Sequence, residues 1–587
     1  MAPLFVHRGA GEIGVVGAVK HSVMTTLSFI PSVMRSWHVA QQGGNAVHVT
    51  GWALVEGRLA CDKALADLLL TKVSKSDDSE WIPLDLDGNF AMVLQTLERI
   101  VLIADPIRSI PLFFSKNGEI LYVSDDARNL EMVDRSLDNQ SVVEFSTAGY
   151  VTGPHNIYMG VSGLRAGEWV QWSTESRQPL SRRYFSYACT FDSPLSIDEL
   201  CDEFDQALVT TFTRLIESIG GRQIVIPLSG GLDSRLVVAM FKRLGYDNLI
   251  CLSYGVPGNP DSMKSRAVAE LLGYPWKFVE YSPELWRSTF KGDGIDRYMK
   301  FASNGVSMPF TGDWPAVKAL YDDSAIASDA VIVPGHTGDF ISGGHLKYLL
   351  DPKFFDLSAG FDSAMIKKHY SLWYDLASEP VIKAVVGRRL VEAVGYFESA
   401  SDEDLSRKYE YWEWQERQSK YIINSVRSYE SFGFSWRLPL WSREIMDFWR
   451  RVPIDLKMEQ YLYREYLSSS DHYSLFQSDA PATARNGLLV EQRASFRGRV
   501  KERLTKFRFG LKLVMAVTRF QSHVKGYKRD PLGMAFLYSF PRFLFRDVTK
   551  RNVLSLMVQD FLHREYGVRR SSVRAFAEAE QVQESSQ

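Results

Sequence analysis

Cysteine is scarce in this chain and never closely paired. Cys61, Cys189, Cys201 and Cys251 are the only four in 587 residues, and no C-x-x-C spacing occurs. That argues against a thiolate zinc site or a disulfide framework and fits a reducing, cytoplasmic setting. Long apolar runs are missing too. No stretch of 18 apolar residues occurs, so no transmembrane helix is expected. Near the start, His7, Arg8 and Glu12 interrupt the apolar residues, so no signal-peptide layout is seen. Charge of either sign is not in excess. Lys plus Arg number 68 against 70 Asp plus Glu, a formal net charge of −2, which gives no bulk attraction to nucleic acid.

What is present is an ordinary globular composition, with 45% hydrophobic and 24% charged residues. The length suggests two to four domains at about 150 residues each. Up to about residue 190, Ala46–Leu54, Asn89–Gln95, Ile100–Ala104 and Ile120–Ser124 read as strands bounded by turn residues. Leu195–Ser218 reads as a helix, with Leu200, Phe204, Leu208, Phe212 and Leu215 on one stripe. From Gln223 the pattern alternates. Gln223–Leu228, Asn248–Ser253 and Ala330–Val333 read as strands, and Arg235–Leu244 and Asp261–Leu272 as helices, which predicts a doubly wound parallel sheet. Ser363–Ser470 is dominated by helical periodicity. Arg497–Lys528 holds ten Lys or Arg and one acid, Glu502, with apolar residues at helical spacing. It reads either as a solvated helix packed on the body or as a contact with an anionic membrane surface or substrate. The last dozen residues are polar and expected to fray.

Ser229-Gly230-Gly231-Leu232-Asp233-Ser234 lies between a predicted strand and a predicted helix. Two glycines let the backbone approach a ligand, and a helix N-terminus offers N–H groups to phosphate. Ser229 and Ser234 add hydroxyls. Asp233 would repel a bare phosphate but makes sense holding a Mg²⁺ that bridges phosphates. The loop therefore suits ATP with its metal. A G-x-x-x-x-G-K-S/T phosphate loop does not occur.

At these residues the chain resembles the ATP pyrophosphatase superfamily, and within it the asparagine synthetase family. Leu252-Ser253-Tyr254-Gly255 is similar to the family's second strand, beside the adenine, which implies Ser253 and Gly255 in nucleotide binding. Val333-Pro334-Gly335-His336-Thr337-Gly338-Asp339 with Gly343-Gly344 resembles the second signature, and Arg437-Leu438-Pro439-Leu440 and Tyr461–Glu465 resemble later segments. Upstream, Leu86–Ala91 and Asp105–Leu112 resemble a class II glutamine amidotransferase domain. The resemblance implies an Ntn-type β sandwich of the α+β class over residues 1–190. It implies a doubly wound α/β ATP pyrophosphatase domain with a helical C-terminal part over 195–490. A basic helical extension with a disordered tail would occupy 491–587.

The pattern also breaks. The family's glutaminase uses a cysteine exposed after Met1, whereas Ala2 stands here, so glutamine hydrolysis by the first domain is not expected. A domain kept without that activity is similar to the β-lactam synthetase branch. His336 replaces an acid and Phe340 a Glu, while Asp339 keeps the second Mg²⁺-ligand position beside Asp233. His336 reads equally as a general base on an attacking amine or as a structural residue. The family's late Arg-x-Lys is represented by Arg485-Asn486-Gly487, leaving Arg485 as the candidate for charge stabilisation. Arg417, Lys420, Asn424 and Arg427 fall on one helical face, which reads as an anionic-substrate site or as a salt-bridged surface.

The expected reaction is adenylation of a carboxylate by ATP, followed by amide formation with ammonia or an amine. The segment from Trp414 to Tyr429 is similar to surface-polysaccharide-associated members, whose suspected acceptor is a sugar acid. Intramolecular closure of the β-lactam synthetase or lasso-peptide cyclase type is the alternative reaction, and a non-catalytic nucleotide-binding scaffold the alternative outside enzymes. Expected partners are the small-molecule acid, an amine donor, a separate glutaminase supplying ammonia, and a second copy of the chain in a homodimer.

Overall fold

A computed structural model describes residues 25–75, 86–130, 136–173, 178–350, 361–395, 401–469, 474–477, 530–539 and 553–585. The first part is built on eleven strands: β1 (Thr26–Phe29), β2 (His38–Gln42), β3 (Asn45–Val55), β4 (Arg58–Cys61), β5 (Asp87–Gln95), β6 (Arg99–Ala104), β7 (Phe113–Asn117), β8 (Ile120–Ser124), β9 (Ser162–Gly163), β10 (Glu168–Ser173) and β11 (Leu180–Arg183). One sheet runs β1-β8-β7-β9 and the other β11-β10-β6-β5-β3-β2, with β4 on β3. Side chains alternate across a strand, and here both faces of β6 are used. Ile100 and Leu102 meet Leu121 and Val123 of the facing sheet, making a sandwich. Val101 and Ile103 turn the other way, into the core that Leu65 and Leu69 of helix α1 (Asp62–Lys75) complete. Helix α1 and helix α2 (Asn139–Ala148) interrupt a region expected to be mostly strand. Asp138 caps α2 by accepting from the Ser141 amide at 2.7 Å.

Helix α3 (Ile197–Ile219) matches its predicted stripe, since all five of those side chains are buried. Burying each such side chain contributes about 1.5–3 kcal/mol. Ser196 and Glu199 form a capping box that fixes its start. The helix packs on a five-stranded sheet ordered β14-β13-β12-β15-β16, where β12 is Ile224–Pro227, β13 Leu249–Gly255, β14 Trp276–Glu280, β15 Val331–Ile332 and β16 Ser435–Trp436. Every neighbouring pair is parallel. Helix α4 (Leu232–Arg243) leads from β12 to β13, and helix α5 (Pro260–Leu272) from β13 to β14. The chain then crosses back to lay β15 on the other side of β12. That reversal opens a crevice beyond the carboxyl ends of β12 and β15.

Phe185, Tyr187, Cys189 and Phe191, where the sequence suggested a boundary, share one large core with this sheet. Glu413–Ile422 is wound as a π-helix inside the longer helical run. The C-terminus departs from expectation. Val573–Ser585 is helical where fraying was expected, and it packs on α2, with Gln140 donating to Glu580. The basic segment 497–528 lies outside the described residues. Among the described residues no helix is long and apolar enough to cross a membrane.

Candidate active site

The Ser229–Ser234 loop leaves β12 and turns directly into α4. Ser229 and Ser234 hydroxyls lie 3.0 Å apart, and Ser229 Oγ accepts the Gly231 amide at 3.1 Å. Gly231 sits at the N-cap of α4, and no side chain caps the helix there. Its first-turn N–H groups are therefore left for a ligand, at the positive end of the helix. Gly230 N donates to Asp261 Oδ1 at 3.2 Å, which ties the loop to α5.

Pro334–Asp339, following β15, closes against this loop. A Cβ on Gly335 would lie 2.5 Å from the Ser234 amide nitrogen, and one on Gly338 2.3 Å from Asp233 Cγ. Glycine is needed at both because no side chain fits between the loops. Asp233 is held from two directions, its Oδ2 accepting the Asp339 amide at 2.9 Å and its Oδ1 the Tyr463 hydroxyl at 3.1 Å. Burial, and next the Asp339 charge, raise the Asp233 carboxyl to about 7. Asp339 opens into the cleft. Partial enclosure opposes its ionisation, but the His345 hydrogen bond at 3.1 Å and the His345 charge hold it below the usual carboxylate range. Burial alone would lower His345; its place between buried Glu413, 2.6 Å away, and Asp339 instead lifts it to about 9.

These groups line a cleft of about 490 Å³ together with Pro227, Tyr254, Phe310, Asp313, Tyr429, Gln460 and Arg464. Of the sequence candidates, Ser229, Gly231, Asp233, Ser234, His336 and Asp339 line it, and Gly230 is next to it. Ser253 and Gly255 do not. Strand alternation sends their neighbour Tyr254 to the cleft, and Gly255 is covered by the Pro531 carbonyl. His336 is half-buried on the cleft wall. Burial lowers its pKa to about 4, so the imidazole is neutral, and its Nδ1 has no hydrogen-bond partner. Arg485 lies outside the described residues, as does Ala2.

The expected cationic face is not displayed. Lys420 is buried, donating to Glu416 and to the Val151 and Gly153 carbonyls, and Asn424 donates to the Ala302 carbonyl. Arg427 is buried, donating to Glu430 and the Ser109 carbonyl. Arg417 and Asn424 are partly open, and Arg417 donates to Glu413 at 3.0 Å. The winding changes along the segment, π to Ile422, 3-10 over Ile423–Val426 and α from Arg427, so no single angular step holds, and packing leaves Lys420 and Arg427 inside the protein.

Two carboxylates, Asp233 and Asp339, are the donor set available for a divalent cation. No group of three or more His, Cys, Asp or Glu positioned for a metal occurs among the described residues. Two fit Mg²⁺, which binds through one or two carboxylates and takes its remaining oxygens from phosphates and water. The Asp233 carboxyl is raised first by burial and next by the Asp339 charge, and a cation between them would oppose both.

The family model for asparagine synthase matches residues 217–469, and that for a glutamine amidotransferase domain matches residues 77–185. Over 53 residues the chain is 51% identical to a probable asparagine synthetase, glutamine-hydrolyzing, of Acanthamoeba polyphaga mimivirus. That stretch covers 9% of this chain and only 10% of the viral protein. Among solved structures, an NH3-dependent NAD synthetase from Campylobacter jejuni is 14% identical, covering 35% of this chain and 99% of that one, with a TM-score of 0.19. An NMN synthetase from Francisella tularensis is 14% identical, covering 39% and 96%, with a TM-score of 0.20.

Proposed function

We propose that the chain is a member of the asparagine synthetase family and acts as an ATP-dependent, amide-forming ligase working through an acyl-adenylate. The observation that carries the reading is the uncapped start of α4 facing a cleft beside two carboxylates on separate loops. ATP phosphates would lie on the Ser229–Ser234 amides and hydroxyls. Asp233 and Asp339 would hold Mg²⁺, which supplies charge neutralisation on the phosphates.

A substrate carboxylate attacks the α-phosphorus, and the bond to the β-phosphate breaks, giving acyl-adenylate and pyrophosphate. Ammonia or an amine then attacks the acyl carbon, AMP leaves and a proton is released. His336, a neutral imidazole on the cleft wall, would take that proton. The protein's contribution is chiefly to position and to neutralise charge.

In this reading residues 1–190 form the amidotransferase-like domain, 195–490 the synthetase domain and 491–587 an extension. Ammonia would be free or delivered by a separate glutaminase, since Ala2 stands where the family's glutaminase has its cysteine. The sugar-acid acceptor rests on the resemblance of the Trp414–Tyr429 segment. With Lys420, Asn424 and Arg427 engaged by protein groups, its recognition falls to the cleft walls. The test is pyrophosphate release from Mg·ATP with a panel of carboxylic acids. Parental turnover by Asp233→Ala would sink the mechanism.

A further inference from the structure

Asp313 stands at the N-cap of the helix Trp314–Asp322, yet its side chain makes no capping bond. An aspartate is among the best residues for that bond, which contributes about 1 kcal/mol. Here the carboxyl group lines the cleft instead, although the residue is only 2% exposed. Oδ1 has no hydrogen-bond partner, and Tyr429 and Ser428 nearby favour the charged form of the group. Around it stand Tyr254, Tyr281, Tyr298 and Tyr429, which offer no positive charge, and the Tyr281 and Tyr298 hydroxyls already donate to the Gly312 and Phe310 carbonyls. Burying a carboxylate with an unmet oxygen is costly, and a structural role would have used the cap. Burial raises its pKa to about 7, as expected of a carboxylate that lacks a cationic partner.

We propose that Asp313 recognises a ligand amino group, its free carboxylate oxygen accepting the N–H of a molecule held in the cleft. The inference rests on the nucleotide reading above and deepens it. Two sources can supply that amine: the exocyclic amine of adenine, for which Tyr254 and Phe310 provide flat neighbours, or an amino group on the acceptor acid. The Asp233 and Asp339 carboxylates belong to the phosphate end of the same cleft and are spoken for.

The experiment uses the full chain, its Asp313→Asn and Asp313→Ala variants, and two probes, Mg·ATP and Mg·purine riboside triphosphate, which lacks the exocyclic amine. Binding is read by calorimetry and pyrophosphate release with amino-bearing and amino-free acids, and thermal unfolding controls for folding. If adenine is the source, the parent prefers ATP by about tenfold or more and Asp313→Ala loses that preference. If the acceptor is the source, both nucleotides bind the parent and the variants alike, and only turnover of amino-bearing acids falls about tenfold or more in Asp313→Ala. Asp313→Asn, which keeps a neutral acceptor oxygen, should lie between parent and Ala. Folded variants that match the parent in both arms overturn the inference. A parent that binds neither nucleotide overturns the nucleotide reading itself, a result no Asp313 variant can mimic. A role confined to structure would instead appear as a lowered unfolding temperature with unchanged ligand selectivity.

Discussion

Replacing Gly338 by alanine should disable the cleft through a single methyl group. The added Cβ would lie 2.3 Å from Asp233 Cγ and Oδ1 and 2.7 Å from Oδ2, against an ordinary contact of 3.4–4 Å. Asp233 must therefore retreat by about 1 Å, and a misplacement of that size costs roughly 100-fold in rate. It cannot retreat freely, since the Tyr463 hydroxyl and the Asp339 amide hold both oxygens. Gly338 is not among the residues of positive φ, so alanine brings no backbone strain and the fold should survive. The assay is pyrophosphate release from saturating Mg·ATP with an acid the parent turns over, beside thermal unfolding. We expect a loss of about 100-fold with little change in unfolding temperature. A folded Gly338→Ala protein turning over within threefold of the parent would refute the claim that the placement of Asp233 governs the reaction.

Two further outcomes follow from buried charge. Asp313 titrates near 7 in the folded chain against 3.8 ordinarily, so the folded state keeps a proton the unfolded chain releases between those values. Stability is fullest at low pH and falls as pH climbs from about 4 through 7, by up to about 1.4 kcal/mol per unit. Asp313→Asn should therefore gain relative to the parent as pH rises; unfolding curves running parallel from pH 5 to 8 would contradict this. Lys457 and Glu410 pair at 2.6 Å with both side chains essentially sealed from water. Lys457→Met alone should cost about 3–5 kcal/mol, and adding Glu410→Leu should recover most of it. Denaturant unfolding that finds the double variant no better than the single one would rule out a stranded charge as the cause.

Local signals carried much of the fold into the sequence. The stripe Leu200 to Leu215 predicted α3 within two residues of its observed start, and short apolar runs marked β3, β5, β6, β8, β12, β13 and β15. The phosphate loop was readable because glycine, hydroxyl and acid fall in six consecutive residues between strand and helix. What was not readable depends on distant packing. Strands β10 and β11 and the two-residue strands β9 and β16 owe their state to neighbours rather than to length or pattern. Asp313, Tyr429 and Gln460 reach the cleft from three segments with no shared motif, so spacing could not gather them. His345, two residues beyond Gly343, gave no sign that Glu413 would face it. The four-residue face from Arg417 to Arg427 failed for a different reason: its 3.6-residue period was applied to a stretch whose winding passes from π to 3-10 to α.

Helix Val573–Ser585 lies against α2, and Phe561 stacks on Phe145 with ring centroids 6.0 Å apart. More than 400 residues of sequence separate these partners. During synthesis, at about 5–20 residues per second, α2 emerges long before the surface that covers it exists. Its apolar side must wait, shielded only by nearby segments, until those later helices have been made. A segment synthesised early is thus sealed late, and a truncation that removed Phe561 or Val573–Ser585 would be felt at α2.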